Sequence, residues 1–280
     1  MENSGVEAKV ICDSVALNGA RLTTFQLKAH RMILAEFNTH RAFSRNASSS
    51  RAIPVHRMIQ QIREDPAMPV YWGKNKPGMQ AREELVGEEL ADAKRNWLLA
   101  RDWNASYVED ILVGINGLHK QLANRLLEPW MWSHIVVTST DWQNFFNLRC
   151  NEDAQPEIHV LALAMRSAYV ASHPRSRGLK EWHLPYIFPE EIEEHGYDSL
   201  DLRKASVGRC ARVSYNMHDG SNCIISKDIG LHDDLLLSGH MSPFEHPAIP
   251  TNAYPTYHVG NFYGWKQYRK FLPNESIFQG

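Results

Sequence analysis

The chain has 280 residues, of which 43% are hydrophobic and 22% are charged, and its formal net charge is −2 with the histidines neutral. This length accommodates one large domain or two small ones. The nearly balanced charge excludes a general polyanion-binding protein, so we expect no nucleic-acid partner. Any anion site therefore requires a local cluster of arginines.

The four cysteines form no C-x-x-C pair. Their scatter argues against a disulfide framework or a thiolate zinc site and suits a reducing compartment. The first residues do not show the charged and apolar regions of a signal peptide. No apolar run approaches the ~20 residues that span a bilayer. From these features we expect a cytoplasmic protein without a membrane segment.

The sequence predicts a β-hairpin near the N-terminus. Residues 8–17 and 21–28 are rich in alternating and β-branched residues, and the Asn18-Gly19 pair between them is a common hairpin turn. Residues 30–38 then predict a short helix. A loop rich in Ser and Arg follows over residues 39–52.

Helices are predicted to dominate the rest of the chain. Apolar residues at three- and four-residue steps predict one long helix over 79–124, which Gly114 and Gly117 are expected to bend. Residues 138–141 offer an N-cap to the helix that follows them. The other predicted helices lie at 142–149, 154–169, 201–212 and 227–238, with loops at 66–78 and 172–200 and a strand and a short helix around 262–271. The predicted fold class is α+β and helix-rich, in a single domain over 1–280.

Residues 39–51 form the first polar cluster, Thr-His-Arg-Ala-Phe-Ser-Arg-Asn-Ala-Ser-Ser-Ser-Arg. Three arginines, four serines, an asparagine and a histidine come directly after a predicted apolar helix. Guanidinium and hydroxyl groups near a helix end hold phosphate through charge-assisted hydrogen bonds. This segment is either a phosphate-binding loop or a solvated loop.

Two further clusters are ambiguous by themselves. Asn144 and Arg149 share a predicted helix that is otherwise aromatic, and a buried Arg needs a partner, which is either a ligand or an acid. Residues 238–246, Ser-Gly-His-Met-Ser-Pro-Phe-Glu-His, suggest a metal site, but the H-E-x-x-H pattern of zincins is absent. A turn capped by Ser242 is the simpler interpretation, and no metal is expected.

Together these segments resemble the flavin-dependent thymidylate synthases. That family carries Arg-His-Arg-x-x-Ser-x-Asn-Glu-x-Ser-x-Arg, and residues 39–51 match it at His40, Arg41, Ser44, Asn46, Ser49 and Arg51. Residues 144–149, Asn-Phe-Phe-Asn-Leu-Arg, resemble the family's Asn-Phe-Leu-Asn-Leu-Arg. Residues 125–129 resemble its Arg-Ile-Val-Leu-Pro.

The order of the motifs is rearranged. Residues 211–214 and 239–246 resemble segments that precede the triplet in ordinary family members, whereas here they lie near the C-terminus. A circular permutation accounts for this order, because domain termini are often close together at the surface. A second, degenerate copy of the signature follows at residues 267–276. The resemblance touches residues 20–52, 120–170 and 203–276.

The resemblance implies a mixed sheet, a homotetramer, and conversion of dUMP to dTMP with FAD, NADPH and methylenetetrahydrofolate. The flavin contacts that it implies are His40, Arg41, Asn46, Asn144, Ser214, His240, Ser242 and Glu245, joined by Arg269, Asn274 and Glu275 of the second copy. It implies phosphate contacts from Ser49, Arg51 and Arg125. It places Arg149 at the pyrimidine carbonyl, where a cation stabilises charge during attack at C5. Arg149 and Ser49 are thus the candidate catalytic residues, although Ser49 need not be a nucleophile.

The departures from the family pattern predict a composite site. Thr39 replaces the first Arg of the triplet, Ala47 replaces the acid after the Asn, and Glu36 stands where a Gln often meets the phosphate. The second copy retains what the first lost, an acid at Glu275 and the last Arg of the triplet at Arg269. We expect both copies to contribute to one site.

Two other functions stay open at this point. The first is a hydroxymethylase acting on dUMP or dCMP, in which water instead of hydride captures the methylene unit. The second is a non-catalytic nucleotide-binding relative whose flavin site has decayed.

Overall fold

A computed structural model describes residues 4–215, 223–252, 258–273 and 275. Its strands are β1 (Glu7–Ala16), β2 (Arg21–His30), β3 (Ser44–Ala47), β4 (Trp132–Ser139), β5 (Arg175–Arg177), β6 (Ala248–Pro250), β7 (His258–Val259), β8 (Phe262–Tyr263) and β9 (Trp265–Gln267). Its α-helices are α1 (Leu34–Phe37), α2 (Val55–Glu64), α3 (Gly87–Ser106), α4 (Lys120–Ala123), α5 (Gln143–Arg149), α6 (Pro156–Ala171), α7 (Pro189–His195), α8 (Leu200–Ala211) and α9 (Ile225–Leu237).

The main sheet has the strand order β3-β4-β2-β1-β5. Its pairs are antiparallel except for β1 with β5, so the sheet is mixed and the α+β class is confirmed. The predicted hairpin is confirmed as β1 and β2, with Val15 opposite Arg21. Gly19 adopts φ +85°, which a residue without Cβ tolerates, and the Ala20 amide donates to Asn18 Oδ1 at 3.0 Å.

The two faces of the main sheet are chemically different. On one face, Phe25 and Leu27 of β2 and Val137 of β4 pack with residues of α5 and α6 in the largest buried cluster. On the other face, Thr24 and Thr138 are buried and polar. Alternation along each strand produces this difference, because successive side chains point to opposite faces. The polar face is the one against which the C-terminal part of the chain packs.

The predicted helix over 79–124 is corrected by the structure. The helix begins at Gly87, continues from Ser106 as a π-helix over Tyr107–Ile115, and ends before Gly117, which has φ +66°. Glycine in this conformation commonly ends a helix. The predicted helices between residues 79 and 170 are also separated by β4, because its buried run of Ile, Val and Val pairs with two neighbouring strands.

Short elements account for the other differences. The predicted loop 39–52 contains β3, and the predicted loop 172–200 contains β5 and α7. The helix α2 was not predicted. The N-cap expected within residues 138–141 is wrong, since α5 is capped at Trp142 without a side-chain hydrogen bond. The helices predicted at 154–169, 201–212 and 227–238 are confirmed as α6, α8 and α9. None of the helices in the described ranges has the length and hydropathy of a membrane span.

A buried ion-pair network joins α8 to its neighbours. Arg209, 1% exposed, donates from Nε to Asp228 at 2.8 Å and from Nη2 to Glu191 at 2.6 Å. Close approach of α8 and α9 depends on Gly208, where an added Cβ would lie 2.3 Å from the Asp228 carbonyl oxygen. Backbone contact at this distance leaves no room for a larger residue.

We predict that Gly208→Ala lowers the free energy of unfolding by about 1–3 kcal/mol, because overpacking forces the two helices apart. The matched control is Gly230→Ala in α9, where an added Cβ meets nothing within 4 Å. That variant should gain about 0.5–1 kcal/mol, since alanine loses less backbone entropy in a helix. Urea unfolding of both variants measures the difference, and equal effects would contradict the packing described here.

Candidate functional site

A cleft of about 460 Å³ lies between β3 and the loop that follows α9. Asn46 lines it from β3, and His240 and Ser242 line it from the loop. Ser242 donates a short hydrogen bond to Asn46 Oδ1, across 196 positions of sequence. Gly239 turns the chain out of α9 with φ +72°. Three of the side chains that the resemblance assigns to flavin binding therefore share one cleft.

Arg45 is a lining residue of the cleft that sequence reasoning did not single out. Its guanidinium donates to the Asn38 side chain at 2.6 Å and to the His40 and Phe43 carbonyls at 3.1 and 2.9 Å. Burial lowers the pKa of Arg45, and the charge of Glu245 opposes that shift. Its position between two motif residues was the signal that could have found it.

The C-terminal signature copy lies beside this cleft. Arg269 Nη1 donates to Glu245 Oε1 at 2.6 Å, and Arg269 Nε lies 3.3 Å from Glu275 Oε2. Lys270 pairs with the same Glu275 at 3.0 Å. Two of the three residues predicted from the second copy thus form one charged network, while Asn274 lies outside the described residues.

The two signature copies touch each other directly. Gln267 Nε2 donates to Ser44 Oγ at 2.8 Å and to the Glu245 carbonyl at 3.1 Å. Asn261 Nδ2 also donates to Ser44 Oγ, at 3.1 Å. Ser214 belongs to a 3₁₀ turn over Arg212–Tyr215, and its side chain is outside the described part. The neighbouring Val213 lines the cleft.

A second cluster is centred on Arg149 at the end of α5. Arg149 Nε donates to His40 Nε2 at 3.0 Å, and its Nη1 forms a short ion pair with Glu36. His40 packs edge-on against Phe145, with ring centroids 4.9 Å apart. Burial, then the charges of Arg149 and Arg45, lower the pKa of His40 to about 4. The imidazole is therefore neutral at pH 7, with Nε2 as the acceptor.

A third group surrounds Glu128, which follows α4. Arg125 Nη1 lies 2.8 Å from Glu128 Oε1, and Arg31 Nη2 lies 3.3 Å from the same atom. Asn124 Nδ2 donates to the Ser50 carbonyl at 2.7 Å and holds the signature loop against this group. The structure thus brings Arg125 close to the loop that carries Ser49 and Arg51.

Not all predicted site residues point to these clusters. Arg41, Arg51 and Asn144 are exposed at the surface. Glu36, which stands where a Gln of the family often meets the phosphate, pairs with Arg149. The other predicted residues with described side chains fall into a cleft group, an Arg149 group, a Glu128 group and the Arg269 network.

The match to a family model agrees with the sequence resemblance. The Thy1 family, described as thymidylate synthase complementing protein, matches residues 21–175. Two crystal structures of a UMP/dUMP methylase PolB from Streptomyces cacaoi are similar to the chain, one bound with 5-Br UMP and one with 5-Br dUMP. Their identities are 15% and 12%, they cover 60% and 59% of this chain and 90% of each of those chains, and their TM-scores are 0.46 and 0.45. No curated protein matches the chain in sequence.

We predict that His40 makes stability fall as the pH is lowered from 6.5 towards 4. In this pH window His40 is protonated in the unfolded chain, where its pKa is about 6.5, but stays neutral in the folded protein. Protonation therefore favours the unfolded state. His40→Gln keeps a neutral acceptor for Arg149 and should lose less stability across this window than the wild type does. Urea unfolding at pH 7 and pH 4.5 measures the difference. The control His56→Gln, at an exposed site on α2, should behave like wild type; the same pH dependence in His40→Gln would contradict the assignment.

Proposed function

The chain belongs to the Thy1 family of thymidylate synthase complementing proteins, and from that premise we propose that it transfers a one-carbon unit to C5 of a pyrimidine deoxynucleotide. The proposed reaction converts dUMP to dTMP with FAD as cofactor and with NADPH and methylenetetrahydrofolate as co-substrates. The observation that carries the proposal is the meeting of Asn46, His240 and Ser242 in one cleft.

The cleft has the volume of a small-molecule site, and its side chains have chemistry that suits a flavin. A volume of about 460 Å³ lies within the range of about 300–1,000 Å³ usual for small-molecule sites. An amide, an imidazole and a hydroxyl supply donors and acceptors for the edge of a flavin ring, and Arg45 supplies a positive charge for its phosphates. The bound flavin would supply the hydride chemistry, and these side chains would bind and orient it.

The net charges of the Arg149 group and the Glu128 group support different roles, the first for the base and the second for the phosphate. Arg149 and Glu36 form a pair with no net charge, which suits a neutral pyrimidine ring better than an anion. The Glu128 group has two cations, Arg31 and Arg125, and one carboxylate. The exposed Arg51 adds a further positive charge on the neighbouring signature loop. This excess of guanidinium charge favours a phosphate there.

In this arrangement Arg149 would contact the base, and the neighbouring side chains would hold Arg149 in position. The guanidinium would donate to a pyrimidine carbonyl and stabilise the negative charge that develops as C5 attacks the one-carbon donor. Glu36 and neutral His40 hold the guanidinium at Nη1 and Nε. Within the described residues Nη2 makes no hydrogen bond to the protein, so it is the nitrogen available to a ligand.

The proposal is tested by product mass. The purified protein should bind FAD and show a flavin absorption spectrum. With dUMP, methylenetetrahydrofolate and NADPH it should give a product heavier by one methylene. A product heavier by CH2O, the net gain when a hydroxymethyl group replaces hydrogen, would replace methylation with hydroxymethylation. Activity on dCMP alone would replace dUMP as the substrate. Protein that takes up no FAD and forms no product would contradict catalysis altogether.

Arg149→Gln should lower kcat in the same assay by about 10²–10³-fold, the usual loss when a donor to a developing anion is removed. The matched control is Arg166→Gln on α6, where the arginine is exposed, and it should keep wild-type kcat. Equal rates for the two variants would remove Arg149 from the proposed mechanism.

We also predict that the second signature copy supports flavin binding. Arg269→Ala leaves Glu245 without its ion pair beside Arg45, and Glu275→Ala loosens Arg269. Each variant should raise the Kd for FAD, the first by about ten-fold, the size expected for a charge-assisted hydrogen bond. Arg82→Ala, which removes an exposed ion pair with Asp153, is the control. Titration by flavin fluorescence measures Kd, and unchanged values for Arg269→Ala and Glu275→Ala would show that the site is not composite.

A further inference from the structure

A pocket of about 250 Å³ lies at the edge of the main sheet that β5 forms. It is lined by residues of β1 and β5, by the segment between α6 and β5, and by residues between 184 and 197. Most of its lining lies outside residues 21–175, the range that the family model matches. Its described lining residues include none from the candidate cleft, the Arg149 group or the Glu128 group. The pocket is therefore a separate feature of the molecule, independent of the proposed function.

Arg177 is a buried cation in the lining of this pocket, with 6% of the residue exposed. Its Nε lies 3.4 Å from Ser14 Oγ, and its guanidinium carbon lies 4.1 Å from the centre of the Tyr197 ring. In the part of the chain that the structure describes, Arg177 has no carboxylate partner, and its two Nη atoms make no hydrogen bond. Arg209, which is also buried, pairs instead with two carboxylates. Because a buried charge is costly without a partner, the guanidinium of Arg177 lacks a counter-ion that a ligand can supply.

A second arginine of the pocket also lacks a carboxylate partner. Arg175 lies two residues before Arg177 on β5, so both side chains leave the strand on the same side. It lines the pocket, and the ion pairs among the described residues do not include it. Asp13, the one carboxylate among the described lining residues, is bound by Arg21 at 2.6 Å and by Ser172 at 2.6 Å. Arg21 therefore balances the charge of Asp13, and the two arginines of β5 are left without a counter-ion.

The remainder of the lining suits the carbon part of a small molecule. Half-buried side chains of Val10, Ile187 and Ile192 present apolar surface to the pocket. Small-molecule sites typically combine such apolar surface with a few well-placed polar groups. The volume lies just below the range of about 300–1,000 Å³ usual for such sites, so the ligand must be small.

We propose that this pocket binds a small organic phosphate monoester, with its phosphate on Arg177 and Arg175 and its carbon part against the apolar lining. A guanidinium group matches phosphate oxygens through two parallel hydrogen bonds. A phosphate monoester carries a charge of about −1.5 to −2 at pH 7, which two arginines balance. A carboxylate carries a single charge and would leave one arginine without a counter-ion. The charge of the pocket therefore favours a phosphate.

Calorimetric titration of the full chain tests the class of ligand. Phenyl phosphate should bind about ten-fold or more tightly than benzoate, because benzoate carries one negative charge and forms fewer charge-assisted hydrogen bonds. It should also bind more tightly than inorganic phosphate, which has no carbon part to bury. Benzoate or inorganic phosphate that binds as tightly as phenyl phosphate would overturn the assignment to a phosphate monoester.

Methionine variants localise the binding to this pocket. Arg177→Met keeps the length of the side chain but removes its charge, and it should raise the Kd for phenyl phosphate by about 10–100-fold, the loss of one or two charge-assisted hydrogen bonds. The matched control Arg203→Met removes a guanidinium that also lies over an aromatic ring, 4.7 Å from the centre of Trp182, and should keep the wild-type Kd. Arg125→Met, which alters the proposed nucleotide site, should keep it as well. A raised Kd in Arg125→Met with none in Arg177→Met would place the ligand in the nucleotide site and overturn the proposal.

Thermal unfolding separates ligand binding from a structural role of Arg177. Removal of an unpaired buried charge relieves a cost in free energy, so Arg177→Met without ligand should unfold at or above the wild-type Tm. Phenyl phosphate should raise the Tm of the wild type more than that of Arg177→Met, because a ligand stabilises only a folded state that binds it. A lower Tm for Arg177→Met without ligand, together with no shift of the wild-type Tm by phenyl phosphate, would make Arg177 a structural residue and overturn the proposal.

Discussion

A chain of buried hydrogen bonds ties the C-terminal part of the molecule to the main sheet. Thr138 Oγ1 lies 2.7 Å from Thr24 Oγ1 and 2.8 Å from His246 Nδ1. Thr24 Oγ1 continues to His183 Nε2 at 2.8 Å, and His183 Nδ1 lies 2.9 Å from Ser14 Oγ. Every residue in this series of hydrogen bonds is fully buried or nearly so. Because unpaired polar groups are costly in the interior, these partners fix one another's positions.

The cleft depends on this attachment. His246 directly follows the turn that carries Ser242 and Glu245, so holding its ring against β4 holds that turn against β3. Burial lowers the pKa of His246 to about 3, and a neutral imidazole is the form that can remain in this interior at pH 7. The hydrogen bond from Gln267 to Ser44 then joins the two signature copies. The candidate site is thereby assembled from segments that lie at opposite ends of the sequence.

The sequence predicted three residues of the candidate cleft, one from the signature motif and two from residues 239–246. Asn46, His240 and Ser242 were assigned by resemblance to known motifs, and the structure gathers them in one cleft. The pairing of Glu36 with Arg149 could not be predicted, because it depends on how α1 and α5 pack against each other. Arg45 was missed for a different reason, since its carbonyl partners lie only five and two positions away and depend on the turn after α1. Charge pairing between distant elements is invisible to a linear motif.

Local sequence patterns were sufficient to predict the elements whose backbone hydrogen bonds form within one helix or one hairpin. The hairpin of β1 and β2 follows from its turn residues and alternation, and α6, α8 and α9 follow from their apolar spacing. The edge strands β3 and β5 were decided by the tertiary structure, because short polar segments become strands only when a neighbouring strand supplies their hydrogen bonds. Likewise, the sequence by itself determined the family and the residue types of the site. Only the packing of the C-terminal segment on the polar face of the sheet decided which residues meet, since burial of paired polar groups depends on three-dimensional neighbours and not on spacing along the chain.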